Sequence, residues 1–133
     1  MEQTDRPDVL LVGGGVASVR CARTLRRHGF DGSILLVGDE DRLPYNRPPL
    51  SKELIRDDLP DELLLAERGS WYERRRIEVL TGARVTRLEP DLHKVTLEDG
   101  RTIGFERLLL ATGAEVRTLR GVDGADAALT LRT

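Results

Sequence analysis

Residues 9 to 18 read Val9-Leu10-Leu11-Val12-Gly13-Gly14-Gly15-Val16-Ala17-Ser18, an unbroken apolar run that stops at three glycines. Four consecutive apolar residues suit a short strand buried on both faces, as in the centre of a parallel sheet. From Val16 the apolar positions Val16, Val19, Ala22 and Leu25 recur at helical spacing, Arg20, Arg23, Arg26 and Arg27 stay off that stripe, and Gly29 supplies a stop. Ile34-Leu35-Leu36-Val37 then repeats the buried-strand pattern. The opening therefore reads β-α-β.

The turn between strand and helix carries a dinucleotide fingerprint with serine in the third glycine position. Gly13 permits the tight turn, Gly15 lets the backbone approach a pyrophosphate, and the small Ser18 lets helix and strand pack closely. Gly13, Gly14, Gly15, Val16, Ala17 and Ser18 thus form the candidate phosphate turn, where a helix start offers free N–H groups and a positive dipole end. Taken alone, such a turn can equally be structural. Its context strengthens it: Asp39 stands 24 residues after Gly15, at the end of the second strand, where a ribose hydroxyl pair is expected. Asp39 and Glu40 are the candidate acids, and solvated loop charges are the competing reading.

Working outward, residues 42 to 50 contain three prolines, which fix φ and remove donors, so an extended loop is expected there. Ser51 is placed to cap a short helix over Lys52-Glu53-Leu54-Ile55. Trp71-Tyr72 and Arg74 to Arg76 suit an amphipathic helix with a solvated basic face, and Ile77 to Leu80 a third strand of the first sheet. After Gly82 the pattern changes to period two. Val85 and Arg87 alternate with Thr86 and Leu88, Val95 and Leu97 with Thr96 and Glu98, and Asp99-Gly100 is a hairpin turn. Three antiparallel strands ending near Phe105 are expected. Leu108-Leu109-Leu110 makes a last buried strand running into Ala111-Thr112-Gly113, and the tail after Gly121 shows no further core strand.

Composition narrows the function classes. A chain of 133 residues with 39% hydrophobic and 33% charged residues fits one ordinary soluble domain. A net charge of −2 without a long basic run gives a nucleic-acid partner no electrostatic support. No apolar run approaches the length of a membrane span, and the polar start MEQTDRPD does not resemble a secretory signal, so a cytoplasmic protein is expected. The single cysteine, Cys21, excludes an internal disulfide and a cysteine metal cage, and reads as a small core residue. His28 and His93 lack metal-ligand or catalytic partners in sequence, and Trp71 reads as packing. Arginine dominates the basic residues. Lysine occurs only as Lys52 and Lys94.

Four segments together carry a family resemblance: Val12 to Gly15, Leu36 to Glu40, Leu43-Pro44-Tyr45-Asn46-Arg47-Pro48-Pro49-Leu50-Ser51-Lys52, and Ala111 to Arg117. In these the sequence resembles the FAD-dependent pyridine nucleotide oxidoreductases of the ferredoxin, rubredoxin and putidaredoxin reductase type, relatives of apoptosis-inducing factor. The tyrosine-to-lysine segment is the specific one, and the likeness runs over essentially the whole chain. It implies a Rossmann-like α/β fold with a parallel sheet and a three-stranded antiparallel crossover, FAD as cofactor, NAD(P)H as electron source in a full-length form, and a ferredoxin-type acceptor.

By that resemblance Arg47 lies against the FAD, where a guanidinium suits phosphate and polar flavin edges. Lys52 sits beside the isoalloxazine as the candidate catalytic residue, Val85 meets adenine, and Arg117 reaches the FAD beyond the turn of Ala111, Thr112 and Gly113. That turn could also be only structural. Two departures stand out. The stretch after the second strand has no cysteine pair, which excludes dithiol chemistry there. The family also continues past this turn into an NAD(P)H domain and a C-terminal domain, so residues 1 to 133 are expected to be the N-terminal part of an incomplete FAD domain, without a second glycine fingerprint for NAD(P)H. The alternative is a non-catalytic nucleotide-binding module or truncated remnant without turnover.

Overall fold

The computed structural model describes residues 6–52, 56 and 64–132. The strands β1 (Val9–Val12), β2 (Ile34–Val37), β3 (Ile77–Leu80) and β7 (Arg107–Leu110) form a parallel sheet in the order β3-β2-β1-β7. Between β3 and β7 the chain builds an antiparallel sheet from β4 (Val85–Glu89), β5 (Lys94–Leu97) and β6 (Thr102–Gly104). Helix α1 (Val16–Arg27) follows β1, and α2 (Gly69–Arg74) precedes β3.

Side chains alternate across a strand, so the apolar runs of β1 and β2 supply both faces of the sheet. Leu10, Val12, Leu35 and Val37 pack toward the antiparallel layer, against Val95, Leu97, Ile103 and Phe105. Val9, Leu11, Ile34 and Leu36 pack the other way, against Val19 and Ala22 of α1 and Tyr72 of α2. The order is helix, parallel sheet, antiparallel sheet. Tyr72 is buried edge-on to Trp71, and burial pushes its hydroxyl pKa up to about 12. Among the described residues no helix is long and apolar enough to cross a membrane.

Several expectations change. Val16 is 49% exposed and does not join the buried stripe; Ser18, Val19 and Ala22 form it, with Leu25 beside them. The helix starts past the glycine turn, where about half of its first side chain is left uncovered. Strand β7 is half-open, with Leu110 55% exposed, because β1 is its only neighbour among the described residues. A bulge between Val85 and Arg87 shifts the alternation in β4, and Val85 and Leu88 face the core while Arg87 is exposed. Ser51 ends a 3-10 turn over Pro48–Ser51, and its hydroxyl donates back to the Pro48 carbonyl at 3.5 Å; the N–H groups it is expected to cap lie outside the described residues. The expected helix beyond Lys52 falls on residues 53–55, outside the described residues.

Arg26 does more than stay off a stripe. Its Nη1 donates to the carbonyls of Phe30 and Gly32, Nε to that of Arg75 and Nη2 to that of Arg76, each at 2.7 Å. One guanidinium thereby ties the end of α1 to the turn before β2 and to the turn before β3, where Arg76 holds a left-handed φ of 51°. A lysine has one point charge and cannot span four carbonyls. Arg26→Lys is expected to cost about 2 kcal/mol in urea unfolding, given that hydrogen bonds to charged groups contribute about 1.5–3 kcal/mol and this one is partly solvated. A cost below about 0.5 kcal/mol, the range of an ordinary surface change, would show that the turns hold without it.

Candidate functional site

The ends of the parallel strands converge at one edge of the sheet, and the backbone there is knitted closely. Gly13 N–H donates to the Val37 carbonyl (2.8 Å), Ala111 N–H to that of Val12 (2.8 Å), Gly38 N–H to that of Leu80 (2.9 Å) and Ala83 N–H to that of Gly38 (2.8 Å). Gly13 has a φ of +122°, and a Cβ there would lie 2.1 Å from the Ala111 carbonyl oxygen. Only glycine lets the β1 turn pass so close to the β7 turn.

Beyond this edge opens a cavity of about 250 Å³. Gly13, Gly14 and Gly15 floor it from the first turn, Asp39 comes from the end of β2, and Arg47 from the proline loop. Ala83, Arg84 and Val85 enter from the crossover, and the segment Ala111 to Glu115, together with Arg132, closes the far side. Ligand sites in open α/β sheets lie in this position, outside the carboxyl ends of the strands.

The donors and acceptors around the cavity are complementary to a dinucleotide. Helix α1 has Gly15 as its N-cap residue, without a side-chain cap and without an acid in its first turn, so its first N–H groups and its positive dipole end are left for an anion. A Cβ at Gly15 would meet nothing within 4 Å, which leaves room for a ligand to approach the backbone. Asp39 is exposed and makes no hydrogen bond or ion pair with a described residue. The FAD implied by the sequence therefore fits: amides and guanidinium groups suit a pyrophosphate, and a free carboxylate suits a ribose diol.

The expected residues divide. Gly13, Gly14, Gly15, Asp39, Arg47, Val85, Ala111, Thr112 and Gly113 line the cavity. Val16 and Ala17 carry first-turn amides but do not line it, and Ser18 is fully buried with a hydroxyl that has no partner among the described residues. Lys52 and Arg117 are exposed and lie outside the lining. Glu40 is also outside it, engaged by Tyr45 and Arg47. Sequence reasoning missed Arg84 and Arg132. Arg84 adjoins Val85 and was within reach of the same reading. Arg132 sits in a tail without periodicity, among many arginines, and its guanidinium reaches the cavity beside Gly113, where a Cβ would stand 3.2 Å from Nη2.

A family model of pyridine nucleotide-disulphide oxidoreductases matches residues 7–133. The chain belongs to this family. Members of this family and the ferredoxin reductases within it are FAD-dependent. Cys21, the one cysteine of this sequence, is half-buried on α1, and desolvation raises its thiol pKa.

Among curated relatives, the chain is 42% identical over 111 residues to the ferredoxin reductase component of chlorobenzene dioxygenase from Cupriavidus sp. strain PS12, covering 84% of this chain and 27% of that protein. It is 39% identical over 130 residues to the ferredoxin–NAD(+) reductase component of the p-cumate 2,3-dioxygenase system of Pseudomonas putida, covering 97% of this chain and 32% of that one. Among solved structures, putidaredoxin reductase in its covalent complex with putidaredoxin superposes with a TM-score of 0.82 at 38% identity, over 89% of this chain and 28% of that one. The chain thus spans about a third or less of the length of these relatives.

Proposed function

We propose that this chain is the FAD-binding N-terminal part of a flavin-dependent NAD(P)H oxidoreductase that passes electrons to a ferredoxin-type acceptor. The observation that carries this reading is the meeting of a helix start without a side-chain cap, Asp39, unpaired among the described residues, and the guanidinium groups of Arg47 and Arg132 around one cavity. In it, the amides opening α1 hold the pyrophosphate, Asp39 accepts from the ribose hydroxyls, and Arg47 and Arg132 offset phosphate charge. Val85 and the turn from Ala111 to Gly113 wall the adenosine end. Lys52 and Arg117, outside the cavity, serve parts of the cofactor farther along. FAD supplies hydride acceptance and single-electron release, and this segment supplies binding, orientation and charge. The lone cysteine supports a cytoplasmic location.

A nucleotide-binding module without turnover is the second reading, and one feature favours it. The cavity gathers the residues expected at phosphate and ribose, whereas Lys52, expected beside the isoalloxazine, lies outside it. The chain alone is therefore expected to bind FAD through its adenosine half, with ADP competing fully, flavin fluorescence retained and no NAD(P)H oxidation in a dye-linked assay. Grafting residues 7–133 in place of the matching segment of a ferredoxin reductase separates the two readings. An FAD-loaded chimera that oxidises NAD(P)H supports the reductase, an FAD-loaded but inactive one supports the module, and a chimera without FAD overturns both.

A further inference from the structure

Glu40 follows the acid Asp39, yet the two carboxylates do different things. Asp39 is exposed on the cavity, whereas both oxygens of Glu40 are spoken for: Oε2 accepts from the Tyr45 hydroxyl at 2.7 Å and Oε1 from Arg47 Nη2 at 2.9 Å. Arg47 also lies over the Tyr45 ring, 5.9 Å from its centroid, and is therefore held on two sides. Both supports are themselves fixed. The Glu40 carbonyl accepts from Gly82 N–H at 2.7 Å. Tyr45 is buried and bridges Leu65, flanked by Asn46 N–H donating to the Leu64 carbonyl (2.7 Å) and Ala66 N–H to that of Pro44 (2.9 Å).

We infer that Glu40 is a positioning residue, which aims the Arg47 guanidinium at the anionic part of a bound dinucleotide and does not itself touch the ribose. The inference rests on the FAD reading of the cavity and deepens it. Arg47 spends one N–H on Glu40 and is also a lining residue of the cavity, and a guanidinium with five N–H donors can be anchored at one edge and bind phosphate at another. Fixing a long side chain beforehand removes the ordering cost that binding would otherwise carry. Burial and the Glu40 charge raise the Tyr45 pKa, so its hydroxyl remains a donor to Glu40 well above neutral pH.

The test measures dissociation constants of the full chain for FAD and ADP by titration calorimetry, in the wild type, Glu40→Ala, Glu40→Gln, Arg47→Ala and the double Glu40→Ala/Arg47→Ala. Glu40→Ala is expected to weaken both ligands about 5- to 10-fold, Glu40→Gln, whose one amide oxygen still accepts from Arg47 while its NH2 donates to the Tyr45 hydroxyl oxygen, less than about 3-fold, and the double variant no more than Arg47→Ala alone. If the Glu40→Ala loss persists in the Arg47→Ala background, Glu40 acts on the ligand directly or on the loop as a whole, and the inference fails. Tighter binding by Glu40→Ala overturns it as well, since Glu40 would then be competing with phosphate for Arg47. A wild-type chain that binds neither FAD nor ADP refutes the FAD reading itself, an outcome distinct from the other two.

Discussion

Gly13→Ala is expected to leave little folded protein. The new methyl would be built 2.1 Å from the Ala111 carbonyl oxygen, on a residue whose φ is +122°. Neither side can yield easily. Gly13 N–H is bonded to the Val37 carbonyl and Ala111 N–H to that of Val12, so the clash falls between two strand ends already locked into one sheet. A side chain held in a disfavoured backbone region costs about 1–3 kcal/mol and overpacking a similar amount, which together approach the roughly 5–15 kcal/mol that holds a domain folded. Circular dichroism and urea melting of the variant give the answer. A urea midpoint close to that of the wild type would mean that the two turns separate freely, contrary to this packing.

Asp39→Ala should be nearly silent in stability and severe in binding. The carboxylate is exposed and without a described partner, so removing it breaks nothing in the fold. In the bound state it would accept two hydroxyl hydrogens, and hydrogen bonds to a charged group contribute about 1.5–3 kcal/mol, which corresponds to a roughly 10- to 100-fold loss of affinity for FAD and ADP. Inorganic pyrophosphate, which has no ribose, serves as the control and should bind as before. Equal loss for ADP and pyrophosphate would assign Asp39 to the shape or charge of the whole cavity, and unchanged ADP affinity would remove it from the site.

The two acids at residues 39 and 40 show how far sequence reading extends. Position after a buried strand and distance from the glycine turn were enough to bring both forward. They could not be told apart, because their roles depend on which one meets Tyr45 and Arg47 across a loop that no periodicity describes. Arg117 and Arg132 pose the same difficulty in a stretch without regular structure, where the residue that reaches the cavity is the one farther along the chain.

By itself the sequence determined the β-α-β opening, the antiparallel crossover and the place of the phosphate turn. These follow from short-range rules: apolar runs of four for buried parallel strands, period two for a half-buried sheet, and a glycine turn before a helical stripe. Only the tertiary structure decided what depends on neighbours distant in the chain. It exposed Val16 and half of β7, turned Arg87 outward through a bulge, made Arg26 a clasp for four carbonyls and gave Glu40 to Arg47 rather than to the cavity. A residue's own type sets what it can bond to and how strongly it avoids water. Which partner it finds is set by the packing of elements far apart in sequence, and no local pattern records that.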